Sequence, residues 1–260
     1  NLAVVALLSD AFFPSTPYRD ASQLVMVENT GRYYYGGSIP EGLDSPQLSM
    51  PDFGDVLAGQ RSLAAVGGYR DTHVAVMTGG ERPRAVSRIY VTSGLFETLG
   101  PSPSSGRLLG AGDFAPGAPP VALVTDGLWR SALASDPSVV GRIIHLYEQP
   151  FTVVGVIPSS VFGLLQPRAR LLDEGRVDRC VVTPLVAGGG GNDESMLKRQ
   201  LTARDSPALK VLGRLRPGQT PASVNGDLTN LAARIREQNQ ATNARRGLRA
   251  VALDEWRTSE

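Results

Sequence analysis

Apolar and polar positions alternate with two different periods along this chain, and the changes between them mark its elements. Residues 23–28 (Q-L-V-M-V-E) predict a strand, and a loop rich in Gly, Tyr and Pro follows over residues 31–46. Ser49 then stands before Pro51 and Asp52, with a hydroxyl at the cap and a carboxylate three residues on, which predicts a helix with Phe53, Val56 and Leu57 on one face. Residues 64–78 and 85–92 are β-rich, and the turn chemistry G-G-E-R-P at 79–83 between them predicts a hairpin. Thr92 and Ser93 are placed to cap a short helix carrying Leu95, Phe96 and Leu99, which Gly100 ends.

Residues 101–120 are dense in Pro, Gly and Ser and predict a crossing between subdomains. A short apolar strand at 121–124 leads to Thr125 or Asp126 as the cap of a helix bearing Leu128, Trp129 and Leu133. Residues 143–147 and 151–157 predict a second hairpin around Glu148 and Gln149. Residues 163–206 hold a charged run, a strand at 181–186 and four glycines at 188–191; exposed, mobile loops are expected there. A strand at 209–215 comes next. Thr220 then caps a helix with Pro221 in its first turn and Val224, Leu228, Leu231, Ala232 and Ile235 on one face. The last strand is expected at 248–253. Two strand–helix–strand passes, one early and one late, have the form of pseudo-repeats.

Composition narrows the function classes. The chain has 260 residues, 42% hydrophobic and 20% charged. Those proportions are ordinary for a globular protein with a substantial core. A formal net charge of +1 gives nucleic acid no support as a partner. A single cysteine, Cys180, excludes an intrachain disulfide and a multi-cysteine zinc site, and its plain reading is a small apolar strand neighbour. The apolar stretch at positions 2–8 is too short to span a bilayer. A spanning helix needs about 20 residues. The stretch reads either as a buried strand or helix or as the outer end of a membrane helix.

The usual catalytic patterns are not found. The two histidines, His73 and His145, lie in strand-like runs, and neither has a partner at metal-ligand spacing. No G-x-S-x-G elbow occurs, and the glycines at 188–191 lack the G-K-[ST] ending of a phosphate cradle. By the same logic Gly36-Gly37, Gly67-Gly68 and Gly79-Gly80 are read as turn glycines. Asp52 and Asp55 form one carboxylate pair and Asp173 and Glu174 another; capping explains Asp52, and the second pair belongs to a charged, solvated run. Trp129 is expected in the core. Tyr33, Tyr34 and Tyr35 form an aromatic triplet in a loop and are the candidate partner-contact surface.

Four segments in order resemble the MacB-like periplasmic core domain of ABC-transporter permeases of the MacB/FtsX type. They are S-M-P-D-F-G-D-V-L-A-G-Q-R-S-L-A-A-V-G-G-Y at 49–69; G-G-E-R-P-R-A-V-S-R-I-Y-V-T-S-G-L-F-E-T-L-G at 79–100 with Gly106-Arg107; V-A-L-V-T-D-G-L-W-R followed by D-P-S-V-V-G-R-I-I-H-L-Y-E-Q-P-F-T-V-V-G-V-I-P up to Pro158; and L-K-V-L-G-R-L-R-P-G-Q-T at 209–220. Leu108-Leu109 stand where the family often has an aromatic after Gly-Arg, and Glu148-Gln149 where it commonly has a turn glycine. The resemblance implies an α+β fold of two subdomains. A porter-like α/β-sandwich part would comprise residues 21–100 and 207–256, with a mostly β, Sabre-like part inserted at 101–206 and residues 1–20 ending a first transmembrane helix or its stalk.

The implied role is non-catalytic, on the extracytoplasmic (periplasmic) face of the bacterial cytoplasmic membrane. It couples ATP hydrolysis by a separate cytoplasmic ABC ATPase to conformational change outside, in export or efflux. The implied partners are the permease's own transmembrane helices, the ATPase, a periplasmic adaptor protein or cargo, and a second copy in a dimeric transporter. No cofactor and no metal are expected. The competing readings are a stand-alone periplasmic binding module for peptide, lipid or lipoprotein, and a hydrolase, which would need a histidine gathered with a carboxylate and a nucleophile.

Overall fold

A computed structural model describes residues 17–33, 43–78, 83–163, 165, 178–185 and 202–258, with side chains described for all of these except 33, 43, 44 and 71–74. Among the described residues the strands are β1 (Leu24–Asn29), β2 (Arg32–Tyr33), β3 (Leu43–Asp44), β4 (Leu63–Thr78), β5 (Arg84–Val91), β6 (Ser105–Gly106), β7 (Val121–Thr125), β8 (Ile143–Leu146), β9 (Gln149–Ile157), β10 (Cys180–Pro184), β11 (Lys210–Leu215) and β12 (Leu248–Ala252). The helices are α1 (Met50–Gly59), α2 (Leu95–Leu99), α3 (Asp126–Ala132), α4 (Ser160–Gly163), α5 (Pro221–Gln238), α6 (Gln240–Asn243) and α7 (Leu253–Thr258). The α+β class expected from the resemblance is the class observed.

One ten-stranded sheet runs in the order β12-β1-β11-β4-β5-β10-β7-β9-β6, with β8 against both β4 and β9; β2 and β3 pair separately. The strands β4, β5, β10, β7, β9 and β8 pair in turn, and β8 returns to β4, so these six close a ring. Strand periodicity distributes the core. Leu24 and Met26 face one side of β1, and Val25 and Val27 the other. In β7, Val121 and Leu123 likewise oppose Ala122 and Val124. One face is a continuous apolar layer from Met26 across Tyr69 and Ile89 to Ile157, covered by α2, α4 and α7. The opposite face has two layers. One packs α1 and α5 on β1, β4 and β11; the other fills the ring with Met77, Val86, Phe151 and Val153 against Leu128 of α3.

The helix starts reward a local reading. The Asp52 amide donates to Ser49 Oγ at 3.2 Å. The Ser223 amide donates to Thr220 Oγ1 at 3.2 Å. Each bond satisfies an amide that the first turn of a helix leaves without a partner. All the apolar positions expected on the α5 face are buried. Other details differ. Leu57 is exposed, while Phe53 and Val56 are buried. Thr92 does not cap α2: Gly94 holds the cap position, and Thr92 Oγ1 accepts the Gly68 amide at 2.8 Å, stitching β4 to β5. Thr125 holds the cap position of α3 but makes no capping bond with its side chain, since its hydroxyl donates to the Asp178 carbonyl and accepts the Cys180 amide; Asp126 accepts from the amide and hydroxyl of Ser159. The last strand stops at Ala252, where α7 begins and buries Leu253 and Trp256. Gly67 and Gly68 lie inside β4, not in a turn. Within the loop region at 163–206, Cys180–Pro184 is a fully buried strand between β5 and β7.

Tyr147 opens the β8–β9 turn with φ of 55°, a left-handed conformation, and is exposed. A non-glycine residue there carries a backbone penalty of about 1 kcal/mol. Tyr147→Gly is therefore expected to raise stability by up to about 1 kcal/mol, less the extra chain entropy glycine brings to the unfolded state. A higher urea midpoint at unchanged slope would show it; a lower midpoint would mean that the ring's own contacts outweigh the strain.

At Ala250 the outer edge of β12 is covered by a side chain. Asn225 of α5 donates to the Ala250 carbonyl at 3.0 Å and accepts the Ala250 amide at 2.7 Å. The amide group thus takes the place that a neighbouring strand would fill.

Candidate functional site

Two clusters bury charge in the interior, one on the sheet and one at the start of α1. The first surrounds Arg214, near the end of β11 on the face that carries Leu212. Its guanidinium is buried and donates to the carbonyls of Thr98 at 2.8 Å, Leu99 at 3.3 Å, Arg19 at 2.5 Å and Asp20 at 3.4 Å. Two of these carbonyls close α2, where the helix dipole favours a cation. Burial lowers the arginine's proton affinity and the neighbouring Arg19 charge lowers it further, while Asp20 opposes both. The incoming chain is held at successive residues: the Tyr18 hydroxyl donates to the Val161 carbonyl at 2.6 Å, and the Arg19 amide to the Leu99 carbonyl at 3.0 Å. Burial drives the Tyr18 phenol far above its usual range, against the opposing charge of Arg257 on α7. Helix α7 packs on β1 and on the turn at Ala21–Gln23, and its Trp256 shares a core layer with Tyr18. The first and last described elements thus meet at one place.

The second cluster surrounds Asp52, which is buried at the start of α1. Asp52 Oδ1 accepts from Arg204 Nη1 at 2.6 Å and Asn243 Nδ2 at 2.8 Å, and Oδ2 from Arg246 Nη1 at 3.4 Å. Arg204 Nη1 also reaches Asp55 Oδ2 at 2.6 Å, and Arg246 Nη1 donates to the Arg204 carbonyl at 2.7 Å. Burial works against the Arg204 charge, yet the hydrogen bonds it donates to Asp55 and Asp52 raise its proton affinity overall. A cavity of about 10 Å³ bordered by Asn29, Leu48, Asp52, Asn243 and Arg246 adjoins this network. That is room for one water, not for a substrate.

The residues singled out by sequence are scattered. Tyr33 pairs by its backbone with Leu43 in the β2–β3 ribbon, and its side chain, with all of Tyr34 and Tyr35, lies outside the described residues. His73 is in β4, with its side chain likewise outside them. His145 is in β8, opposite Pro150 and Thr78. Asp173, Glu174 and the glycines at 36–37, 79–80 and 188–191 also fall outside. Cys180 is fully buried. Trp129 is half-buried against the ring layer, its indole donating to the Asp136 carbonyl at 2.8 Å. Among the described residues, no three His, Cys, Asp or Glu side chains are grouped to hold a metal, and no helix is long and apolar enough to cross a membrane.

Arg214, Asp52 and Arg246 form anchors that sequence reasoning did not mark. Arg214 had a signal, a charge within a run (K-V-L-G-R-L) whose other positions from Val211 to Leu215 carry no polar side chain. Capping was the sequence-based explanation of Asp52; the Ser49 hydroxyl caps as expected, through the Asp52 amide, while the Asp52 carboxylate turns inward to Arg204 and Arg246.

Solved structures share this architecture over nearly its whole extent. A domain assigned to a permease protein of Porphyromonas gingivalis superposes with a TM-score of 0.61 at 16% identity, covering 94% of each chain. The periplasmic region of MacB from Actinobacillus actinomycetemcomitans gives 0.58 at 11% identity, again over 94% of each. The extracellular domain of YknZ, a noncanonic ABC-type transporter of Gram-positive bacteria, gives 0.55 at 12% identity, over 86% of this chain and 98% of that one. At these identities the likeness establishes a fold, that of extracytoplasmic transporter domains. Comparison with curated proteins yields no sequence match. The family profile of the MacB-like periplasmic core domain matches residues 1–231, and the chain belongs to that family. It is thus a periplasmic domain of the MacB/FtsX-type ABC-transporter permeases.

Proposed function

We propose that this domain is the moving extracytoplasmic part of its permease, carrying the effect of cytoplasmic ATP hydrolysis to an adaptor or cargo outside, with no chemistry of its own. The observation that carries this reading is the meeting of residues 17–23 with α7 against one end of a continuous sheet. Membrane helices joined to both ends would act on the same point of a stiff plate, which suits rigid-body rocking. The two-subdomain division belongs to this reading: residues 21–100 and 207–256, with β1, β4, β5, β11 and β12, as the porter-like part, and residues 101–206, with β6 to β10, as the inserted part. A dimeric transporter and a contact role for Tyr33, Tyr34 and Tyr35 are further parts of the proposal.

The test uses the intact permease with its ATPase in lipid vesicles. A dye on Ile143→Cys, a position 54% exposed, reports the height of the domain by energy transfer to acceptor lipids. ATP binding is expected to change the transfer, and a constant signal through the cycle would overturn the coupling. Replacing the three tyrosines by serine is expected to abolish co-purification of an adaptor or cargo while hydrolysis continues. Unchanged co-purification would remove them as the contact.

A further inference from the structure

We propose that Arg214 is the positioning residue for this coupling, the pin that makes the incoming chain and the sheet move as one body; the inference rests on the permease reading above. Among the described residues its hydrogen-bond partners are all backbone carbonyls, drawn from two separate segments, Arg19–Asp20 and Thr98–Leu99. Carbonyl contacts grip the path of the chain whatever side chains it carries. The guanidinium has a rigid planar fork of N–H donors, which can hold two segments in fixed relative position; an ammonium cannot reproduce that geometry.

Stability alone does not call for this group. A buried ion at an inward strand position is often matched or bettered by an apolar side chain of similar volume. Here the neighbours on the same face, Leu212, Leu99 and Met26, already form an apolar layer that such a side chain would join. What an apolar residue would not do is fix Asp20. That residue has φ of 43° and ψ of 62° at the turn leading into the sheet. This is a left-handed conformation, which favours glycine. The Asp20 carbonyl accepts both the Gln23 amide at 2.9 Å and Arg214. Strained backbone of this kind persists only where the surroundings over-determine it. Arg214 and the two bonds of Tyr18 and Arg19 supply that determination. A displacement arriving before residue 18 therefore passes to β11 through the guanidinium and to β4 through α2, which rests on that strand at Gly67.

The test is the same vesicle assay, with the dye on Ile143→Cys and the domain's native thiol, Cys180, shielded by complete burial. Arg214→Met is expected to cut the ATP-driven change in energy transfer about threefold or more, with hydrolysis within about twofold of the unsubstituted permease. Arg214→Lys, which keeps the charge but loses the fork, is expected to show the same loss, and it serves where the methionine variant does not assemble. A wild-type signal from both variants would overturn the inference. So would restoration of the signal by adding Asp20→Gly, because relief of strain alone would then suffice and Arg214 would be a structural prop. No ATP-driven signal in the unsubstituted permease would overturn the coupling reading itself, whereas loss confined to the Arg214 variants supports both.

Discussion

Asp52→Asn destabilises the domain by about 3–5 kcal/mol, the loss expected when one partner of a buried ion network is removed and the other charge stays behind. Asparagine keeps the volume and the Ser49 cap, which uses the residue's amide and not its side chain. What disappears is the negative charge facing Arg246, whose side chain is 3% exposed against 5% for Asp52. Arg204 is less affected, because Asp55 still holds it at 2.6 Å. The companion substitution Asp55→Asn touches a rim pair, with side chains 34% and 20% exposed. Its expected cost is about 1 kcal/mol or less. Equilibrium urea unfolding of the two variants makes the comparison. Equal losses would mean that Asp52 is an ordinary surface carboxylate and that no hub joins α1, α6 and residues 202–206.

Gly67→Ala is expected to cost about 3 kcal/mol or more, from overpacking against backbone that cannot move aside. A Cβ at position 67 would lie 2.3 Å from Leu95 Cα and 2.4 Å from its amide nitrogen, so α2 would have to lift off the sheet. That displacement would expose Leu95 and Leu99, both fully buried, and stretch the Arg214 bonds to the end of the helix. Gly68→Ala is the control one position on. Its nearest obstacle is the Leu209 side chain at 3.2 Å, which can yield. A cost of about 1 kcal/mol is expected there. Thermal unfolding separates the two variants. A loss at Gly67 no larger than at Gly68 would show that α2 can shift freely on β4.

Much of this architecture was legible in the sequence wherever one segment decides its own conformation. The Ser49 and Thr220 starts, the buried face of α5, the two hairpins and the end of α2 at Gly100 all follow from rules that act within a few residues. The misread positions are those where a distant segment decides. Gly67-Gly68 has the composition of a turn, but the glycine at 67 is required by a helix that lies beyond the following strand in sequence. Thr92 and Thr125 have the chemistry of caps, yet cross-strand amides and carbonyls claim their hydroxyls first. Leu57 fits the helical period, but the apolar layer beneath α1 ends before reaching it. The charged anchors were least visible, because Asp52 meets Arg246 only when most of the chain between them has folded. The family motifs, being mostly strands and turns, carried the fold and left these anchors unmarked.

The Asn225 amide over Ala250 has a bearing on how such domains associate. A sheet rim with bare backbone anneals to its neighbour's rim, and a ladder once zipped must be peeled apart bond by bond. On this side Ala250 is already answered from within, and among the described residues the short strand β6 lies beyond β9 at the other end of the sheet. In the proposed dimeric transporter, two copies meeting at this rim would touch at Ala250 through side chains, a contact free to form and dissolve without leaving the pair welded.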